Sequence, residues 1–165
     1  MSGVRYDLLP GGPADLAVIA DDDGTVLGAG FSDPASIAQY AGIEGLMQPS
    51  QLSHVRRAWA DYLAGDLGAL DRVRVAQLGS PVQELVWREL RHIRAATTLS
   101  YSEVAALIGR PRAARAVGGA CGANKVAPFI PCHRVVAADG GLGGYGYGLG
   151  IKRWLLLHEQ RCAAA

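Results

Sequence analysis

The chain has 165 residues, half of them hydrophobic and 19% charged, with a formal net charge of +1. At roughly 100–200 residues per domain this predicts one domain, or two small ones, with enough apolar residues for a core, and it excludes a disordered tail. There is no apolar run of about 18 residues and no charged-then-apolar start, so neither a membrane span nor a secretory signal is expected. Cys121, Cys132 and Cys162 are an odd number without Cys-x-x-Cys or paired Cys/His spacing. That argues against a disulfide scaffold or a structural zinc and for a reducing, cytoplasmic setting.

The near-neutral sum hides an asymmetry. Residues 1–79 carry ten acids against five bases, whereas residues 80–165 carry five acids against eleven Lys and Arg. A basic half on a neutral chain is the electrostatic footprint of a polyanion partner, although the same split also arises by chance in soluble proteins.

In chain order, residues 16–31 (LAVIADDDGTVLGAGF) are two apolar runs around Asp-Asp-Asp-Gly, which predicts a β-hairpin. From Gln51 to Ala64, Leu52, Val55, Trp59, Tyr62 and Leu63 recur at helical spacing, with Gly65 where the helix should stop. Residues 66–79 alternate Arg72 and Arg74 with Val73 and Val75, the pattern of a half-buried strand. Nothing catalytic stands out in this half.

The second half opens on a helix start. Ser80 supplies an N-cap, Pro81 the first helical position and Gln83 a capping box, and Val82, Leu85, Val86, Leu90 and Ile93 form the apolar stripe. Ser100-Tyr101-Ser102-Glu103 repeats the capping-box pattern ahead of Val104, Leu107 and Ile108, and Gly109 and Pro111 end that short helix. A third helix is expected from about Arg112, completing helix-turn-helix order. Its residues, RAARAVGGACGA, hold almost nothing larger than alanine apart from Arg112, Arg115, Val117 and Cys121. Such a helix lacks the side chains that read base edges. It suits either close approach to phosphate backbones and a narrow groove, held by arginines, or close packing against a neighbouring helix.

Residues 124–136 (NKVAPFIPCHRVV) carry the chemistry. Cys132 is the one strong nucleophile there, and an adjacent imidazole and positive charge are what activate a thiol. Neighbouring side chains on such a backbone point apart, so His133 would serve through a bridging water. A lone cysteine in an apolar run also fits a buried structural thiol.

Pro131-Cys132-His133-Arg134-Val135-Val136 matches the active-site motif of the O6-alkylguanine-DNA alkyltransferases. Tyr101, Arg115-Ala116-Val117-Gly118, Asn124, Gly143 to Tyr145, and Lys152, Trp154, Leu155, Leu156, His158 and Glu159 extend the resemblance from about Ser80 to Arg161. The first half resembles the family only in its hairpin-then-helix order. The resemblance implies an α+β protein: a small N-terminal ribonuclease-H-like unit over residues 1–79, then a helical, helix-turn-helix (winged-helix-like) domain over 80–165 that binds DNA and transfers alkyl groups.

It also implies roles. Cys132 takes the alkyl group from O6 of guanine, and by extension from O4 of thymine. His133 is the base through a water, and Glu159 orients the imidazole. Asn124 ties the recognition helix to the active-site turn. Tyr101 attends the flipped base and donates to guanine N3, while Arg115 fills the gap in the stack. Ala113, Ala114, Gly118, Arg110 and Arg112 join Arg115 and Tyr101 on the DNA side, and Arg134 and Lys125 are counted among the cations that give salt-sensitive affinity. Val135, Cys121, Tyr145, Gly146 and Tyr147 surround the base. The implied partner is double-stranded DNA containing O6-alkylguanine, bound by a monomer, with no cofactor, metal or membrane.

The chain departs from the family pattern at Val82 for phenylalanine, at Ile93-Arg94-Ala95-Ala96 for Ile-Pro-x-Gly, at the bulky Tyr147 and at Cys121. The rival within the fold is a lesion-binding relative without the nucleophile, against which the intact Cys132 speaks. A thiol hydrolase and a sequence-specific regulator are disfavoured by the missing local signatures and by the small third helix.

Overall fold

The computed structural model describes residues 3–45 and 47–165. The chain divides into two compact units, residues 1–77 with 125–129, and residues 78–124 with 130–165. The division near residue 78 is accompanied by an excursion that the sequence does not announce: residues 125–129 belong to the first unit, where Val126 bridges Ala29.

The first unit is a four-stranded sheet with helices. Strands β1 (Val4–Leu9), β2 (Leu16–Ala20) and β3 (Val26–Gly30) form an antiparallel meander, and β4 (Met47–Pro49) runs parallel to β1, giving the order β3-β2-β1-β4. The expected hairpin is β2–β3. Every residue of β2 is buried, as suits the apolar run LAVIA in an interior strand.

Helix α1 (Pro34–Ala41) and strands β1 and β4 have no counterpart in the sequence reading. The α1 signal was nonetheless present: Asp33 caps the Ser36 N–H at 2.8 Å, Pro34 opens the helix, and Gly42 closes it in the left-handed conformation. Helix α2 (Ser53–Leu63) lies where helical spacing placed it and buries Val55, Ala58, Trp59 and Tyr62.

The strand expected over residues 66–79 is corrected. Asp66 accepts from Arg72 at 2.7 Å and folds the chain into a 3-10 turn, Ala69–Arg72, which leaves only a single bridge from Val75 to Val26.

The second unit contains α3 (Pro81–Leu90), the two-residue parallel pair β5 (Leu99–Ser100) and β6 (Val135–Val136), α4 (Tyr101–Leu107), α5 (Ala114–Gly122) and α6 (Leu149–Ala164). Both expected capping boxes form, Ser80 with Gln83 and Ser100 with Glu103. The stripe on α3 is shifted: Val86, Leu90 and Ile93 are buried, Val82 and Leu85 are half-buried, and Trp87, which the stripe omitted, is buried. Leu107 on α4 is exposed rather than packed. Trp87 Nε1 donates to the Ala120 carbonyl at 2.8 Å, which pins α5 against α3. The small residues of α5 therefore serve packing through Val117 and Ala120, while Arg115, Ala116 and Gly119 stay exposed on the other face. No helix among the described residues is long and apolar enough to cross a membrane.

Candidate active site

The active-site turn is a 3-10 helix, Cys132–Arg134, at the entrance to β6. All three residues are buried, and neighbouring side chains leave such a turn in different directions. Cys132 Sγ accepts from Asn124 Nδ2 at 3.3 Å, and the same amide donates to the Ile130 carbonyl at 2.8 Å. Asn124 follows directly on α5 and its cap, so it links that helix to the nucleophile's turn.

His133 is fully buried, with Nε2 donating to Glu159 Oε2 at 2.8 Å. Its Nδ1, also buried, has no hydrogen-bond partner within the described protein. Burial pushes the imidazole below its usual range against the pull of Glu159, and the positive charges of Arg134 and Lys152 push the same way. The imidazole is thus held neutral at neutral pH. Burial alone raises a carboxyl group. In Glu159 the hydrogen bonds and charges of His133 and Arg134 overcome it, so the group stays ionised well below the usual carboxylate range.

Burial likewise pushes the Cys132 thiol up, partly offset by the Asn124 hydrogen bond and by Lys152. The thiol is therefore held protonated at rest. Cys121, in the same cavity, is pushed up to about 12, chiefly by burial.

A cavity of about 160 Å³ lies over Cys132, lined by Tyr101, Gly118, Cys121, Gly122, Gly144, Tyr145 and Gly146. Of the five expected pocket residues, Cys121, Tyr145 and Gly146 line it. Val135 is fully buried and Tyr147 lies off the wall, its ring edge-on to Tyr145 at 5.8 Å.

Tyr101 opens α4 against the glycine-rich segment. A Cβ on Gly143, which sits at φ 72°, would come 2.5 Å from the Tyr101 hydroxyl, so that approach requires glycine. A second depression joins Tyr101 and Gly118 to Ser102, Ala114, Arg115, Ala137 and Ala138. Arg110, Arg112 and Arg115 are exposed, with Ala113 and Ala114 half-buried between them.

One cation contradicts the sequence expectation, and a second is buried with it. Arg134 is not available to a phosphate: it is 4% exposed, with Nε and a terminal nitrogen on the two Glu159 oxygens at 2.9 and 3.0 Å. Lys152 is fully buried, and its Nζ donates to the Val135 carbonyl at 2.7 Å and the Gly144 carbonyl at 3.0 Å, fastening the glycine-rich segment beside β6. Its match to the family motif was visible in the sequence, its burial was not. Among the described residues no group of three or more His, Cys, Asp and Glu is arranged to hold a metal.

The chain is similar to known proteins in sequence and in fold. Residues 81–161 match the family model for the DNA-binding domain of 6-O-methylguanine DNA methyltransferase. The methylated-DNA–protein-cysteine methyltransferase of Salmonella typhimurium is 48% identical over 100 residues, 61% of this chain and 58% of that protein. The human protein of the same name is 39% identical over 133 residues, 76% of this chain and 61% of that one. The chain thus spans less than two thirds of the length of these curated relatives. The crystal structure of Mycobacterium tuberculosis OGT in complex with DNA superimposes with a TM-score of 0.80 at 32% identity, covering 96% of this chain and 94% of that one.

Proposed function

Because the chain belongs to the O6-methylguanine-DNA methyltransferase family, we propose that it repairs DNA by taking an alkyl group from O6 of guanine onto Sγ of Cys132, once per molecule. The observation that carries this reading is the buried Cys132-His133-Glu159 set. Glu159 holds Nε2 of a buried neutral imidazole whose other ring nitrogen has no hydrogen-bond partner within the described protein, and the residue before that histidine is a buried, protonated cysteine.

In the proposed reaction the thiol proton passes through one water to His133 Nδ1 as sulfur attacks the alkyl carbon. The S–C bond forms, the C–O6 bond breaks, and Glu159 stabilises the imidazolium. The Tyr101 hydroxyl donates a hydrogen bond to guanine N3 as negative charge develops on the leaving base, which takes up a proton from water while the imidazolium returns the thiol proton to water. The product thioether has no polarised carbonyl for water to attack, so turnover ends after one event.

DNA docking is assigned to the exposed face of α5. Arg115 enters the stack in place of the extruded base, Ala113, Ala114 and Gly118 allow close approach, and Arg110 and Arg112 face phosphates. The same reading takes the sheet order β3-β2-β1-β4 as ribonuclease-H-like and α4-turn-α5 as a helix-turn-helix of the winged-helix type. It has the protein act as a monomer in the reducing cytoplasm, where its three free thiols stay reduced, and it extends the substrate to O4-alkylthymine.

Titrating the protein with a duplex carrying one O6-methylguanine tests the proposal. Guanine should be restored up to one equivalent per chain and no further. Tight lesion binding without restoration would replace repair by lesion recognition.

A further inference from the structure

The Glu159 carboxylate receives more than the histidine. Oε1 accepts from Arg134 Nε at 2.9 Å and from the Ala96 N–H at 3.3 Å, while Oε2 accepts from His133 Nε2 at 2.8 Å and from Arg134 at 3.0 Å. The third nitrogen of the Arg134 fork donates to the Ile93 carbonyl at 2.7 Å. The loop after α3 therefore grips the carboxylate directly, through Ala96, and indirectly, through the arginine. That loop is held tightly: the Arg94 carbonyl accepts from both the backbone and the hydroxyl of Thr97, at 3.1 and 2.6 Å. Ala96 is also the one described non-glycine residue at positive φ, 67°. A residue stays in that region only where its surroundings over-determine it.

We infer that Arg134 is a positioning residue for the proposed transfer: with the 93–96 loop it fixes the orientation of the Glu159 carboxylate and shares its charge, so that His133 remains a neutral base until the thiol proton arrives. The argument is electrostatic and geometric. A carboxylate facing an imidazole alone draws a proton onto the ring and would charge the base before the reaction begins. Here the carboxylate is bidentate to a guanidinium, which cannot deprotonate and whose planar fork locks both oxygens. The charged groups around His133 are Glu159 and Lys152 from α6 and Arg134 from its own turn, so two cations oppose one anion. Arg134 is the one of these cations bonded to that anion.

The inference rests on the alkyl-transfer reading, and its test separates the two. Single-turnover rates on an O6-methylguanine duplex are measured against pH for the native chain, Arg134→Gln and Arg134→Lys. Arg134→Gln removes the charge, so the acid limb should move up by about one pH unit, which is about a tenfold lower rate at a fixed pH on that limb. Arg134→Lys keeps the charge and loses the fork, so the midpoint should stay near the native value while the plateau rate falls. A merely structural role would lower the fraction of active molecules and leave the midpoint in place for both variants, which would overturn the inference. A native chain that transfers nothing would sink the alkyl-transfer reading instead.

The histidine ring itself is then read by 15N NMR of labelled native protein and of Arg134→Gln: the His133 midpoint should be higher in the variant, and an unchanged midpoint overturns the inference. His133 should stay neutral to below its ordinary 6.5. Titration at or above that value in the native protein overturns the inference.

Discussion

The two units differ in what they bury. The first closes on apolar side chains, Leu9, Leu16, Val18, Ile19, Trp59 and Tyr62 among them, and its one buried charge among the described residues, Asp7, meets Arg56, which is 40% exposed and keeps its hydration. The second buries His133, Arg134, Lys152 and Glu159 within one cluster, none more than 5% exposed. Buried charges cost desolvation and are held only by complete pairing. The comparison teaches that the second unit carries buried charges that are costly to desolvate and are held by their mutual bonds, whereas the first rests on apolar packing.

The sharpest break is at the nucleophile. Cys132→Ala should abolish alkyl transfer while changing stability by no more than about 1 kcal/mol, since it removes a single hydrogen bond; repair assays and urea unfolding check both. Next comes the contrast of the two buried carboxylates. Glu159→Ala strands a histidine and an arginine in the interior and should cost about 3–5 kcal/mol in the unfolding of the second unit. Asp7→Ala leaves its arginine able to rehydrate and should cost about 1–3 kcal/mol. Equal costs would erase the distinction drawn between the units.

On the DNA side, Arg115→Ala should lower repair of duplex substrate by on the order of tenfold or more, with transfer from a free O6-alkylguanine base unchanged.

A pH series sharpens the comparison further. His133 is held below its ordinary 6.5 in the folded chain, so as pH falls through 6.5 the unfolded chain takes a proton that the folded chain refuses, and stability drops. Glu159, held ionised well below its ordinary 4.5, adds a second loss as pH falls through that value. The melting temperature of the protein should therefore fall steadily from pH 7 to pH 4, and His133→Gln should flatten the part between 7 and 5.

The smallest effect belongs to Ala96→Gly. Relief of left-handed strain and the added chain entropy of glycine oppose each other. The net change in stability should stay within about 1 kcal/mol, measured by denaturant unfolding.

What could be read from the sequence was what is local. The caps at Ser80 and Ser100 sit within three residues of their partners, and the β2–β3 hairpin is signalled by its own turn. Strand β4 was not legible because it has only three residues and its pairing with β1 joins residues more than forty positions apart. The same holds for residues 125–129, whose membership in the first unit depends on Ala29.

In the site, Cys132, His133, Asn124 and Glu159 were named together through the motif. Arg134 was misread as a DNA cation because its residue type says solvent, and only Glu159, 25 residues later, accounts for its burial. Tyr147 drew attention by size, yet it packs edge-on against Tyr145 and is not among the residues lining the cavity, a placement that no spacing encodes.

The most direct test of the account is intact-mass spectrometry with peptide mapping after incubation with a duplex containing a single O6-methylguanine. The account predicts one added methylene mass per chain, located on Cys132, saturating at one and absent from Cys132→Ala. An unchanged mass in a chain that binds the lesion tightly, or an adduct on Cys121 instead, would contradict it.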